Sequence, residues 1–258
     1  MLAGQGQCGI ITRAVLCLVP TRPMVREYVL QYAEPAALLA DQLVLQDGRF
    51  DGAVALILPS AEGWSYSLQA IRHFAPPDLP DDAALMTGLH HLVGSEQSHD
   101  VSYREHADAR APFDPMQSHA DLGLLIPGPQ AARFIGNALP RLTASDLGSA
   151  KAMRVFSWNR SVFKRALFRV PQAETCVYVA FIRAETADPD VVHRMLEGNR
   201  TLFEENRRLG GALYPFCALE LTRDDWKHHY HEVWPRLIDA KHRYDPGNVF
   251  ASGPNLRG

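Results

Sequence analysis

The sequence predicts an α+β fold, a mostly antiparallel sheet flanked by helices. Three observations carry this. Short apolar runs rich in β-branched residues recur in hairpin-like pairs, and helical patterns with clear start and stop signals fall between the pairs. The same rhythm of strand, helix and paired strands then returns in the second half, without any repeat at the level of residues.

The chain opens on Gly4-Gln5-Gly6-Gln7-Cys8-Gly9, three glycines within six residues. Such a turn approaches another group without a Cβ in the way. Ile10 to Val19 follows as an apolar run that stops at Pro20, which predicts a largely buried strand. A planar or phosphorylated ligand can lie against main-chain N–H groups at such a junction. A glycine-rich start to an ordinary edge strand explains the same residues equally well, because G-x-G-x-x-G spacing before a helix is absent.

Val25 to Tyr32 alternates as a second strand, and Glu34-Pro35 opens an Ala/Leu-rich helix to about Leu45. After the Asp47-Gly48 turn, Phe50 to Leu58 and Trp64 to Phe74 predict a hairpin. The PPDLPDD break at 76–82 precedes a short helix, capped by Asp81 or Asp82 and running through Leu92. Polar residues from Gly94 to Ser118 predict a long irregular loop. Asp121 to Pro127, Met153 to Trp158, Cys176 to Ile182 and Leu213 to Leu219 read as strands. Gln130 to Leu142 reads as a helix with Ala131, Phe134, Ile135 and Leu139 on one face. Asp188-Pro189-Asp190 starts a long helix that ends at Gly210-Gly211, and Thr222 caps a final helix through about His242. Asp245-Pro246-Gly247 stops that helix, after which Val249-Phe250 can dock.

Composition narrows the function classes. A chain of 258 residues with 47% hydrophobic and 21% charged residues can bury a sizeable core. A formal net charge of −3 offers no basic field for nucleic acid and no polybasic tract for anionic lipid. No apolar run approaches membrane-spanning length, and Met1-Leu2-Ala3-Gly4 has no secretory-signal pattern, so a cytoplasmic location is the expectation. Cys8, Cys17, Cys176 and Cys217 all sit in apolar runs without a C-x-x-C, and are expected to be buried, reduced hydrophobes.

No metal site is expected. On a continuous helix Trp226, Tyr230, Val233 and Leu237 form the apolar stripe, leaving His228 and His231 on the solvated face. A serine-hydrolase elbow is absent, and Glu220 reads as a cap, a salt-bridge partner or a site acid. Phe216 and Trp158 are core aromatics by default, with pocket lining as the other reading.

Gly4-Gln-Gly-Gln-Cys-Gly-Ile-Ile-Thr-Arg-Ala14 resembles the segment with which FAD-linked oxidases of the vanillyl-alcohol-oxidase type leave their flavin domain, the cytokinin-dehydrogenase-like branch above all. Phe156-Ser-Trp-Asn-Arg-Ser161, Val177-Tyr-Val-Ala-Phe181, Gly198-Asn-Arg-Thr201 and the Trp226 helix running into Lys241-His-Arg-Tyr-Asp-Pro246 resemble later segments of that branch in order. The resemblance implies the substrate, or cap, domain of such an enzyme, with FAD as cofactor. Residues 1–20 would be a flavin-domain segment, 21–220 the cap, and 221–258 a helix and tail returning to the flavin. Gly6, Gln7, Gly9, Ile10, Ile11, Thr12, Phe216 and Ser252 would touch the cofactor. Asp121, Gly123 and Trp158 would line the substrate slot, the acid at 121 disfavouring a flat apolar purine. A terminal Ser-Pro-Gly-Gln appears here as Ala251-Ser252-Gly253-Pro254.

The resulting expectation is the C-terminal half of an oxidoreductase acting on a small amine or alcohol by hydride transfer to FAD. A flavin domain in cis or in trans would complete it, without nucleic acid or membrane partners. The alternative is a non-catalytic binding module or a degenerate remnant of such an enzyme.

Overall fold

The computed structural model describes residues 3–109, 118–148, 151–185 and 188–250. In chain order the elements are β1 (Met24–Tyr32), α1 (Pro35–Val44), β2 (Gly52–Ser60), β3 (Gly63–Phe74), α2 (Asp82–Met86), β4 (Gln97–Ser102) and α3 (Tyr103–Asp108). The second half continues with β5 (Ser118–His119), β6 (Leu122–Pro127), α4 (Gly128–Ala138), β7 (Ala152–Asn159), β8 (Thr175–Ile182) and β9 (Ala184–Glu185). It closes with α5 (Pro189–Arg208), β10 (Ala212–Cys217), α6 (Arg223–Tyr230) and α7 (Trp234–Tyr244).

Eight strands form one sheet in the order β10-β6-β8-β7-β2-β3-β1-β4, every neighbouring pair antiparallel. Two units of the same design meet at its centre. In the first, β3 lies between β1 and β2, with α1 following β1; in the second, β8 lies between β6 and β7, with α4 following β6. The units join through β2 and β7, and α1 packs against α4. The echo expected from the element order is therefore a real duplication of architecture.

Register explains the core. Leu30, Leu68, Ala55, Val155, Val179, Leu124 and Leu213 oppose one another in turn across seven strands. All seven are buried and belong to one hydrophobic cluster with Leu38 of α1 and Ala131, Phe134 and Ile135 of α4. The alternate residues point to the other face, as the two-residue period of a strand requires.

Helix α5 starts where the sequence marks it, with the Asp188 carboxylate accepting from Asp190 and Val191 N–H at 2.9 and 3.4 Å. Its buried face ties down the edge strand. Asn199 donates to Ala120 O and Ala218 O at 2.8 and 2.9 Å. Asn206 donates to Leu125 O and Ala212 O at 3.3 and 3.1 Å. Gly211 is required beside it, because a Cβ there would lie 1.9 Å from Asn206 Oδ1.

Several expectations need correcting. Residues 9–22 form no strand; Ile10, Val15, Leu16, Leu18 and Val19 are between 71% and 90% exposed. Apolar alternation encodes burial only where a sheet edge receives it, and among the described strands none pairs with this run. Cys17 is consequently exposed, while Cys176 is buried and Cys8 and Cys217 half-buried. Helix α2 stops at Met86, well before Leu92, because Thr87 leaves the helical region (ψ 127°) and Gly88 turns back with φ 77°. The segment expected as loop from Gly94 holds β4 and α3; β4 is a polar edge strand with no apolar alternation to read, and residues 110–117 lie outside the described residues.

The final helix is two helices. Pro235 has no N–H to return to the His231 carbonyl, so the chain breaks at His231 (φ 45°, ψ −120°) while the stripe Trp226, Tyr230, Val233, Leu237 stays buried across the break. In the last turn of α7, Lys241 is wholly buried, and its ammonium meets Asp245 at 2.5 Å and Phe250 O at 2.8 Å. Asp245 also accepts from Val249 and Phe250 N–H at 2.7 and 3.0 Å. The tail is thus held by its backbone, and the Val249 side chain stays 80% exposed rather than docking.

Two outcomes follow from these ties. Asn199→Ala leaves two carbonyls unserved at the β6 and β10 ends and should lower unfolding free energy by about 1–3 kcal/mol, read by urea denaturation. Burial opposes ionisation of Asp245, yet the Lys241 ammonium and the two N–H groups outweigh it and hold its pKa below the usual range. That stabilisation is complete above the ordinary carboxyl value of about 4 and is lost as pH falls through the depressed one. Hydrogen exchange at Val249 and Phe250 should therefore lose its protection only in that acid window, and Asp245→Asn should remove the pH dependence.

Candidate functional site

The glycine turn is folded back on the chain's last helices. Its Gln7 N–H closes onto Gly4 O at 3.0 Å, and Gly6 sits at φ 71° with open space where a Cβ would be. Three long-range contacts seat it: Tyr230 OH donates to Ala3 O at 3.1 Å, Gln5 Nε2 to Pro215 O at 2.9 Å, and Cys8 Sγ lies 4.0 Å from Leu237 O. The glycine turn and the last helices therefore meet on one side of the molecule. Between them lies a cleft of about 550 Å³, edged by Gly4, Gly6 and Gly9, by Arg165 and Leu167, and by Arg236 and Tyr244 of α7.

Of the residues expected to touch a cofactor, Gly6, Gln7 and Gly9 line this cleft. Gln7 is buried, whereas Ile10, Ile11 and Thr12 lead away from the cleft, exposed. Phe216 falls on β10, beside the turn's anchor at Pro215; its side chain and Ser252 lie outside the described part of the structure.

The sheet face opposite α1 and α4 carries a belt of aromatic rings. Phe156 and Trp158 of β7 stack at 5.6 Å, and each stacks with Tyr178 of β8 at 6.0 Å. Tyr178 meets Tyr214 of β10 at 4.4 Å, Tyr214 meets Phe168 edge-on, Phe168 stacks with Phe163, and Phe163 returns edge-on to Trp158. All six rings are half-buried. Burial pushes the Tyr178 hydroxyl up to about 12, with Tyr214 and Asp121 adding to the effect, so it stays a neutral donor at physiological pH. Segment 165–168 lines the cleft through Arg165 and Leu167 and joins the belt through Phe168, while β10 carries Tyr214 of the belt and the Pro215 carbonyl that anchors the glycine turn.

The expected substrate residues surround Tyr178 but differ in exposure. Trp158 is in the belt. Gly123 is buried on β6 opposite Ala180. Asp121 is 7% exposed and acts as a bolt: its Oδ1 accepts from Arg183 N–H and its carbonyl from Ala218 N–H, both at 2.6 Å. Sequence reasoning missed Tyr178, Tyr214, Phe156, Phe163 and Phe168. The available signal was Phe156-Ser157-Trp158, an aromatic alternation that puts both rings on one face.

The cleft fits part of a flavin. Its volume lies within the ~300–1,000 Å³ of ligand pockets, and bare glycine backbone with flanking guanidinium groups suits the edge of a planar ring bearing carbonyls.

Comparison with known proteins places these features. The family model described as "Cytokinin dehydrogenase 1, FAD and cytokinin binding" matches residues 83–256. An uncharacterized oxidoreductase of the fasciation locus of Rhodococcoides fascians is 32% identical, over 97% of this chain and 59% of its own length. Cytokinin dehydrogenase 1 of Oryza sativa subsp. japonica is 25% identical, over 99% of this chain and 58% of its own length. The chain thus spans under three-fifths of these relatives. Among solved structures, 6-hydroxy-D-nicotine oxidase of Arthrobacter nicotinovorans shares the fold with TM-score 0.53 at 18% identity, over 88% of this chain and 53% of that one. A xylooligosaccharide oxidase of Myceliophthora thermophila shares it with TM-score 0.54 at 14% identity, over 89% and 54%. With two-thirds of its length matched, the chain belongs to the FAD- and cytokinin-binding family of the cytokinin dehydrogenases, whose cofactor is FAD.

Proposed function

We propose that this chain is the substrate-side half of an FAD-dependent oxidoreductase that oxidises a C–N or C–OH bond of a small amine or alcohol. A flavin-binding domain, in cis or in trans, completes the site. The observation that carries the reading is the meeting of the glycine turn and α7 at one cleft, which segment 165–168 links to the aromatic belt and whose glycine turn is anchored on β10.

The roles follow from the chemistry of these groups. When bound, the flavin supplies the hydride acceptor. Gly6 and Gly9 would let a planar ring approach main chain, and Arg165 and Arg236, which line the same cleft, would supply positive charge to a ring that bears carbonyls. Trp158, Phe156 and Tyr178 offer a flat apolar floor that orients a substrate and excludes water from its reacting carbon. Tyr178 adds one neutral hydrogen-bond donor to that floor. The exposed run from Ile10 to Val19 is the natural contact with the flavin-binding domain, since an apolar stretch of this length is unfavourable in water.

The chain purified alone should be colourless. Mixed with the part of the Rhodococcoides fascians relative that this chain does not match and with free FAD, it should acquire flavin absorbance that co-elutes with it. Flavin retained by the isolated chain, or no co-elution with any such domain, would overturn the half-enzyme reading; the latter favours a non-catalytic binding module. In the reconstituted enzyme, Trp158→Ala should raise KM roughly tenfold while leaving flavin content unchanged, since the ring contributes stacking and buried area rather than cofactor contacts.

A further inference from the structure

The break between α6 and α7 creates a second arrangement, which neither cleft nor belt uses. With Pro235 unable to donate, His231 adopts φ 45°, a left-handed conformation that a residue with a side chain rarely takes. This swings its imidazole back beside His228. The two ring centres lie 4.6 Å apart with planes tilted by 53°, which is not a parallel stack.

That separation matches chelation. A metal–nitrogen bond of about 2.0–2.1 Å plus ~1.2 Å from nitrogen to ring centre places each centre about 3.2 Å from an ion; bond angles between square and tetrahedral then set the centres roughly 4.5–5.2 Å apart. Both histidines are exposed, and among the described residues no hydrogen bond reaches either ring. They share the rim of an open cavity of about 420 Å³ with Asp224, Lys227, Trp234 and Pro235. Asp224 and Lys227 bring opposite charges to the same rim, and Glu232 pairs with Arg169 at 2.9 Å.

We infer that His228 and His231 form a two-imidazole site for a borderline divalent cation of the Zn²⁺, Ni²⁺ or Cu²⁺ class. Among the described residues no third His, Cys, Asp or Glu completes a closed set. The ion therefore keeps open positions for water or an outside donor, as in an exchangeable site rather than a structural one. An ion there would brace the α6–α7 joint, whose Tyr230 holds the glycine turn through Ala3 O.

Calorimetric titration of the full chain with NiCl₂ and with ZnCl₂ tests this. One ion per chain is expected, with a rise in Tm on saturation. His228→Gln and His231→Gly should each weaken binding at least tenfold and abolish the Tm rise. His231→Gly also relieves the positive φ, so its metal-free Tm should not fall, which separates loss of a ligand from loss of the fold. The remote exposed variants His193→Gln and His242→Gln should bind like the parent. Absence of binding by the parent, or parental affinity in both His228→Gln and His231→Gly, overturns the inference.

Discussion

The molecule depends on two asparagines that hold an edge strand in place. Strand β10 pairs with β6 only through a shifted register between Leu213 and Cys217, and Pro215 has no N–H to give the ladder. Its backbone would be loosely held without Asn199 and Asn206, two helical turns apart on α5, each bridging one carbonyl near β6 and one near β10. Tyr214, the anchor carbonyl of Pro215 and the backbone of Phe216 all ride on that strand. The aromatic belt and the seat of the glycine turn therefore rest on four side-chain hydrogen bonds.

The open face has its own cause. Each strand–helix–hairpin unit sends its helix to the same side, so α1 and α4 together cover one face of the sheet and leave the other uncovered. An antiparallel sheet tolerates this, since its hydrogen bonds are internal and only alternate side chains meet solvent. In β7 and β8 those alternate positions carry Phe156, Trp158 and Tyr178, large rings that fill each other's flanks and stay half-buried without a helix above them. Such a floor supplies area and flatness but few polar atoms, which suits a site whose chemistry resides in a cofactor.

How much of this was legible differs by element. The strands of the central sheet and the long helix α5 were readable, because Val177, Val179 and Phe181 or Leu202 and Phe203 answer to one burial pattern each. The meeting of the glycine turn with α7 was legible through family likeness, not through periodicity. What could not be read is instructive. Gln97 to Ser102 pairs through its backbone and through charge, Asp100 with Arg26 at 2.6 Å and His99 with Glu27 at 3.1 Å, so it carries no apolar alternation to read. The His231 break was hidden because the apolar stripe continues across it; Pro235 was the local clue. Asp121, expected to face a ligand, spends its carboxylate on Arg183 N–H, a use that spacing cannot reveal.

The unpaired run after the glycine turn carries a built-in reporter. Of the four cysteines, Cys17 is the one exposed, in the middle of that run, while Cys176 is buried and burial raises the half-buried thiols of Cys8 and Cys217, the latter to about 11. Alkylating reagents will therefore find a single fast thiol on the free chain. Anything that covers the run shields that sulfur, so the rate of its modification measures assembly directly, without a dye, a tag or a turnover assay.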